Sequence, residues 1–305
     1  MEEYYYKVYG LNVKSNIKFD ELTSIKVNIE NFDVSIKFGD VPHKLEKSIF
    51  SNRNMQFTKT ETCFYIENLA YFYISNGNNI IIELINPKEI TRLKLYILGG
   101  CMGEIFAQRN AIAIHGSTVV FNEKGIIITG DSGSGKSSLT TAFIQDGHKF
   151  LADDVSVLDK NAQGTYIIYP AYPQQKLCNN TIEALNLGKY RRNILDKKRS
   201  KYAVTFYDSF LFSEVPLYVL FELCIGSIYH TKVTVTELQG KNKIISFINS
   251  IYGVDIRKYK GINSDFFKMC LDISKSIRIF KIIRPPDIYT VNEQLLCIKD
   301  IMTKI

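Results

Sequence analysis

Along the first 85 residues apolar side chains alternate with polar ones, the two-residue period of β-strands. Ile25, Val27 and Ile29 keep one phase. After a slip, Phe32, Val34, Ile36 and Phe38 keep another, and Gly39-Asp40 ends that run. Cys63 to Ile74 and Ile80 to Ile85 are two further apolar runs. Ser75-Asn76-Gly77-Asn78-Asn79 separates them, a composition that predicts a hairpin loop. The pattern then turns helical. Asn86 suits an N-cap, Pro87 the first helical position, and Glu89 the capping-box spacing. Ile90, Leu93, Ile97, Cys101 and Ile105 form one apolar face, and Gly99, Gly100 and Gly103 allow close packing. This helix reads as structural.

From about Ala111 strands and helices alternate. Ala111 to Phe121 reads as one strand, Asn122-Glu123-Lys124 as a turn, and Gly125 to Thr129 as a very apolar strand. A glycine-rich loop opens a helix from Lys136 to Asp146, with Gly147 as its stop. Further strands are expected at 149–152, 155–158, 166–169 and 215–225, and helices around 242–251, 264–275 and 288–303. This is an α/β arrangement, a P-loop catalytic domain over 86–305 preceded by a smaller, mainly β domain over 1–85 with no assignable role.

The loop carries the chemistry. Residues 130–137 read Gly130-Asp131-Ser132-Gly133-Ser134-Gly135-Lys136-Ser137. They fit G-x-x-x-x-G-K-[ST] between a strand and a helix, the pattern that cradles nucleotide phosphates. Glycines let backbone N–H groups turn inward, the helix N-terminus favours an anion, Lys136 reaches the β- and γ-phosphates, and Ser137 ligates Mg²⁺. Ser138 extends this ATP-binding stretch. One helix and one strand later come Asp153 and Asp154, and a right-handed crossover brings them to the same sheet edge as the loop. Two carboxylates there suit metal binding and proton abstraction. His115, on the preceding strand, is a further candidate. The residues implicate ATP and Mg²⁺, and leave open a kinase acting on a peptide or protein, a small-molecule kinase, or a non-transferring ATPase or nucleotide switch.

Composition narrows the setting. With 46% hydrophobic and 23% charged residues, the 305-residue chain has ordinary globular composition. A net charge of +7 suits a handler of anions and is too diffuse to imply nucleic acid. Six cysteines without a C-x-x-C pair point to a reduced, cytoplasmic protein. Acid follows Met1 where a signal peptide carries base. No apolar run approaches the ~20 residues of a bilayer span, so no membrane partner is expected. Lys176, Arg191, Arg192, the Lys197-Lys198-Arg199 run and Arg284 are cations available to phosphates or an acidic acceptor. Nothing fixes the oligomeric state.

Residues 115–154 are specific enough to suggest a family. His115-Gly116, then Ile128 to Ser137, then Gly147-His148-Lys149-Phe150-Leu151-Ala152-Asp153-Asp154 resemble the catalytic domain of HPr kinase/phosphorylase. His115 to Lys136 spans 136 − 115 = 21 positions, and Lys136 to Asp153 spans 153 − 136 = 17, as in that family. The resemblance implies the fold shared with phosphoenolpyruvate carboxykinases and phosphorylation of a serine on a small protein. It implies Asp153 as base, Ser137 and Asp154 beside the metal, and His115 in the phosphate and acid pocket. Ser138 stands where that family carries Glu, and the Glu-Val-Arg-Gly-Leu-Gly signature tied to phosphorolysis is missing. Weaker similarity runs through Tyr9 to Val13, Gly39 to Pro42, Leu98-Gly99 through Gln108-Arg109 to His115, Tyr169 to Pro173, Val215 to Leu217 and Arg284-Pro285. It is shared with stand-alone HPr-kinase-like proteins, some of which phosphorylate ribosomally made precursor peptides, including lasso peptides.

Overall fold

The computed structural model describes residues 2–25, 31–190, 192–196, 200–253, 257, 259, 261 and 263–305. Val27, Ile29, Arg191 and Lys197-Lys198-Arg199 lie outside them. The chain forms two compact units, Met1–Ala113 with Tyr252–Phe266, and Ile114–Ile251 with Phe267–Ile305.

In the first unit, strands β1 (Tyr4–Val8), β2 (Leu11–Ser15), β3 (Val34–Phe38), β4 (Phe50–Ser51), β5 (Met55–Phe57), β6 (Glu61–Ile66), β7 (Ala70–Ser75) and β8 (Asn79–Leu84) make one sheet ordered β1-β2-β3-β8-β7-β6-β5-β4. β3 is parallel to β2 and β8, and the other pairs are antiparallel. The alternation predicted for Val34 and Ile36 is the buried face of β3. The expected hairpin closes where Ser75 pairs with Asn79. The run from Cys63 to Ile74 is two strands rather than one. Asn68 takes a left-handed φ of 56°, a conformation asparagine tolerates, and turns the chain between β6 and β7.

After a single 3₁₀ turn (Pro87–Glu89), capped by Asn86 Oδ1 accepting from Lys88 N–H at 3.1 Å, come α1 (Ile90–Tyr96), a π-helical turn (Ile97–Cys101) and α2 (Met102–Gln108). Leu93, Ile97, Cys101 and Ile105 are fully buried, whereas Ile90 is 36% exposed and leaves the predicted face. This segment belongs to the first unit, although the sequence groups it with the loop region. The reason is polar as well as apolar. Tyr9 Oη donates to Leu98 O (3.1 Å), Thr62 Oγ1 to the buried Glu104 (2.8 Å), and Gly77 N–H to Gln108 Oε1 (2.8 Å).

After β9 (Ile112–Ile114), where the first unit gives way to the second, come β10 (Gly116–Phe121), β11 (Lys124–Gly130), α3 (Lys136–Gln145) and β12 (Lys149–Ala152). Then follow β13 (Ser156–Lys160), β14 (Tyr166–Tyr169), β15 (Gln174–Cys178), α4 (Asn179–Ala184), β16 (Arg192–Asp196), β17 (Lys201–Thr205) and β18 (Val215–Ile225). The chain ends with β19 (Thr234–Glu237), α5 (Gly240–Asn249), α6 (Ser264–Ser276), β20 (Arg278–Arg284) and α7 (Val291–Lys304). The predicted strand 111–121 breaks at His115, whose N–H donates to Ser250 O (2.7 Å) and whose carbonyl accepts from Thr129 Oγ1 (2.8 Å). Gly147 ends α3 as expected. His148 N–H bonds Phe143 O and Gly147 N–H bonds Ile144 O, the double closure of a Schellman motif, with Gly147 at φ 93°.

The sheet runs β12-β10-β11-β18-β20-β19, with β14 paired to the first residues of β18 and β13 paired to β14. β15, β17 and β16 make a small separate sheet. Ile126, Ile128, Leu139, Phe143, Phe221 and Ile298 are core residues that tie β11 and β18 to α3 and α7. Among the described residues no helix is long and apolar enough to cross a membrane.

Two helical glycines separate packing from propensity. A Cβ at Gly103 would run into the Tyr252 ring, whereas at Gly100 it would meet nothing within 4 Å. Gly103→Ala should therefore lower unfolding free energy by about 1–3 kcal/mol, and Gly100→Ala should leave it unchanged or raise it by up to ~1 kcal/mol. Urea denaturation of the two variants measures this, and equal effects would contradict it.

Candidate active site

The strand directions gather the candidates at one edge. β10 is antiparallel to both β11 and β12, so β11 and β12 run the same way, and β18 and β20 are parallel to β11. The loop after β11, the Asp153-Asp154 pair after β12, Arg284 closing β20 and His115 opening β10 all emerge together. β11 and β12 thus end at one edge, as expected, with β10 between them.

The loop from Gly130 to Gly135 is shaped by backbone that side chains disfavour. Gly130, Gly133 and Gly135 have φ of 140°, 85° and 106°, and a Cβ at Gly130 would collide with the Leu223 carbonyl of β18. The first N–H groups of α3 have no carbonyl within the helix to pair with. Lys136 Nζ folds back onto the loop, donating to Gly130 O (2.7 Å) and Asp131 O (3.0 Å). Burial lowers its pKa, with Asp154 and Asp153 opposing. Asp131 and Ser132 are exposed. Ser134 is buried, and its hydroxyl has no hydrogen-bond partner among the described residues. The Ser138 hydroxyl lies 3.0 Å from Thr181 Oγ1 and so faces α4.

Asp153 is only 5% exposed. Ser117 Oγ on β10 donates to its Oδ1 (2.8 Å), Lys176 N–H on β15 to its Oδ2 (2.9 Å), and Ser137 Oγ approaches Oδ1 at 3.4 Å. Burial, then the charge of Asp154, pushes its pKa up. Asp154 has φ 74°, and Val155 N–H closes a three-residue turn onto Asp153 O (2.9 Å). That turn sends the second carboxylate elsewhere. Asp154 Oδ2 meets Lys176 Nζ at 2.7 Å and Oδ1 lies 3.6 Å from His115 Nδ1. Burial opposes the charge of Asp154, but Lys176 and His115 outweigh it and hold the carboxyl at about 2. Burial lowers the His115 pKa, with Asp154 opposing.

Residues 105–188 match the model of the HPr Serine kinase C-terminal domain. The chain is similar to the HPr kinase/phosphorylase of Mycoplasmopsis pulmonis, 35% identical over 129 residues, 39% of each chain. It is also similar to that of Treponema pallidum, 44% identical over 76 residues, 25% of this chain and 22% of the relative. It thus spans about two-fifths or less of the curated relatives it matches. The solved Hpr(Ser) kinase/phosphatase of Coxiella burnetii aligns over 63% of this chain and 91% of that one, with a TM-score of 0.32 and 12% identity. The matched segment contains His115, the loop, both aspartates and Lys176. Arg284 lies beyond it.

Magnesium fits the oxygen donors present. Two adjacent ligands of an octahedral Mg²⁺, each at about 2.1 Å, stand about 3 Å apart. Ser137 Oγ and Asp153 Oδ1, at 3.4 Å, need only a few tenths of an ångström to match. Among the described residues no group of three or more His, Cys, Asp or Glu is arranged for a metal, so phosphates and water would complete the shell. Sequence reading places Ser137 and Asp154 beside the metal; in the fold the carboxylate beside Ser137 belongs to Asp153, because the turn at Asp154 directs its side chain to Lys176 and His115. Ser117 was not anticipated. Its only signal is a hydroxyl, shared with Thr118, at the start of a strand directly after His115-Gly116.

The two carboxylates should act oppositely on stability. Asp153, with a raised pKa, destabilises the fold once it ionises, so Asp153→Asn should be more stable than wild type at pH 7 and lose that advantage near pH 4. Asp154, held at about 2, adds stability above the unfolded carboxylate range that is lost as pH falls from about 4 to about 2. Asp154→Asn should therefore be less stable than wild type at pH 7 and converge with it near pH 2. Thermal unfolding across pH reads both, and equal pH profiles for the two variants would contradict the assignment.

Proposed function

We propose that this chain is an ATP- and Mg²⁺-dependent kinase that phosphorylates a serine hydroxyl on a peptide or small protein in the cytoplasm. The observation that carries the proposal is a buried carboxylate, Asp153, held 3.4 Å from the hydroxyl that begins the helix after a phosphate-type loop. The match of residues 105–188 to a serine kinase domain supports the reaction class. Six free cysteines fit a reducing compartment.

In this reading the loop N–H groups and the N-terminus of α3 bind the phosphates, and Lys136 leaves Gly130 O and Asp131 O for the β- and γ-phosphate oxygens. Ser137 Oγ and Asp153 Oδ1 would hold a Mg²⁺, whose charge would offset that of the phosphates. Asp153 accepts the serine proton, and its raised pKa makes it the stronger base of the pair. Asp154 stays ionised and keeps Lys176 in place. His115 donates or accepts a hydrogen bond at the acid pocket. Catalysis is then mostly positioning and charge stabilisation. A ribosomally made precursor peptide, as in lasso-peptide pathways, is the acceptor class implied by the resemblance to stand-alone kinases.

The deciding experiment is γ-labelled ATP with Mg²⁺ and an extract of the source cell. The label is expected on serine of a peptide or protein. Label on a metabolite, or released only as phosphate, would replace the proposal with a small-molecule kinase or an ATPase. With the Glu-Val-Arg-Gly-type signature missing, the phosphorylated product should release little pyrophosphate when incubated with inorganic phosphate, and rapid release would contradict this. Asp153→Asn should weaken the hold on Mg²⁺ and slow transfer by roughly 10²-fold or more, and high Mg²⁺ should restore nucleotide binding without restoring the rate. Unchanged turnover would mean the base lies elsewhere, with His115 the next candidate.

A further inference from the structure

Arg284 ends β20, two strands from the loop, with β18 between them. Its main-chain carbonyl is taken by Gly226 N–H (2.8 Å) at the end of β18. Its side chain crosses to the glycine-rich loop. Nε donates to Ser134 O (2.8 Å) and Nη2 to Gly133 O (3.3 Å), while Nη1 donates to Pro285 O (2.9 Å) and Pro286 O (3.2 Å). One guanidinium thus joins the turn that follows β20 to two consecutive loop carbonyls. A planar fork of donors can do this, and the single ammonium of lysine cannot hold the same span.

The orientation of those carbonyls matters. In a trans peptide the C=O of one residue and the N–H of the next point in opposite directions. Holding Gly133 O toward Arg284 turns Ser134 N–H the other way, where it closes the turn onto Asp131 O (3.1 Å). Holding Ser134 O turns Gly135 N–H away from Arg284, toward the side where the first turn of α3 presents its N–H groups. A free loop of three positive-φ glycines has many other conformations, and losing them on binding would weaken affinity.

The geometry points to Arg284 as a positioning residue for the nucleotide: it holds the loop from outside, with Ser134 N–H locked in the loop's own turn and Gly135 N–H turned to the phosphate side, and does not itself touch the phosphates. This rests on the reading of residues 130–137 as a nucleotide site. A pre-set loop strengthens ground state and transition state alike, so the effect belongs in KM and not in kcat.

The test uses the full chain, with ATP KM and kcat from the transfer or hydrolysis assay, ADP affinity by calorimetry, and melting temperature. Lys136→Ala is the control for the site. Arg284→Lys and Arg284→Met should both raise ATP KM and weaken ADP binding by roughly tenfold, the scale of one or two lost hydrogen bonds, with kcat within about twofold of wild type. Should Arg284→Met fail to fold, Arg284→Lys carries the test alone. A lower melting temperature with unchanged KM and ADP affinity would make the arginine merely structural and overturn the inference. Full retention of affinity in Arg284→Lys would mean that charge, not the fork, is what counts, and would also overturn it. If Lys136→Ala itself binds ADP and turns over as wild type does, the nucleotide site, not the role of Arg284, has been misplaced.

Discussion

A carboxylate with 5% exposure is tolerated only where hydrogen bonds replace the water it has lost. Asp153 takes its replacements from three separate elements. Ser117 comes from β10, Lys176 N–H from β15, and Ser137 from the start of α3. Satisfying this one group fixes where β12 ends, how the small sheet packs beside it, and how the first turn of α3 faces the pair. The same burial raises its proton affinity. The structural burden of Asp153 and the chemical use proposed for it therefore have one origin.

The neighbouring aspartate solves the resulting problem of like charges. Two adjacent carboxylates at a strand end repel each other, and the left-handed turn at Asp154 rotates the second toward Lys176 and His115. Lys176 serves both, by main chain to Asp153 and by side chain to Asp154. One carboxylate is pushed up and the other held down, the separation expected where one group takes a proton and the other stays charged.

Much of this site was legible because its signals are local. The glycine loop, the strand before it, the helix after it and the stop at Gly147 each rest on residues a few positions apart. So does the return strand ending in Asp153-Asp154. The partners of the aspartates were less legible. Ser117 carries no motif, and β15, which delivers Lys176, has no apolar alternation to announce it; only the folded sheet brings 117, 137, 153 and 176 together. Breaks inside apolar runs were also hidden. Asn68 divides Cys63 to Ile74, and His115 divides Ala111 to Phe121, because backbone groups find partners distant in sequence or take a left-handed φ. Similarly, the helix at 86–108 has a clear apolar face, but its place in the first unit depends on Tyr9, Thr62 and Gly77.

The central claim is that strand order delivers a phosphate cradle and a buried base to one sheet edge. A crystal structure with Mg²⁺ and a non-hydrolysable ATP analogue tests it most directly. The account predicts the triphosphate inside residues 130–137, Lys136 Nζ moved from Gly130 O and Asp131 O onto phosphate oxygens, and the metal against Ser137 Oγ with Asp153 within reach. A nucleotide bound elsewhere, or a loop whose Lys136 still bonds its own carbonyls beside a bound triphosphate, would contradict it.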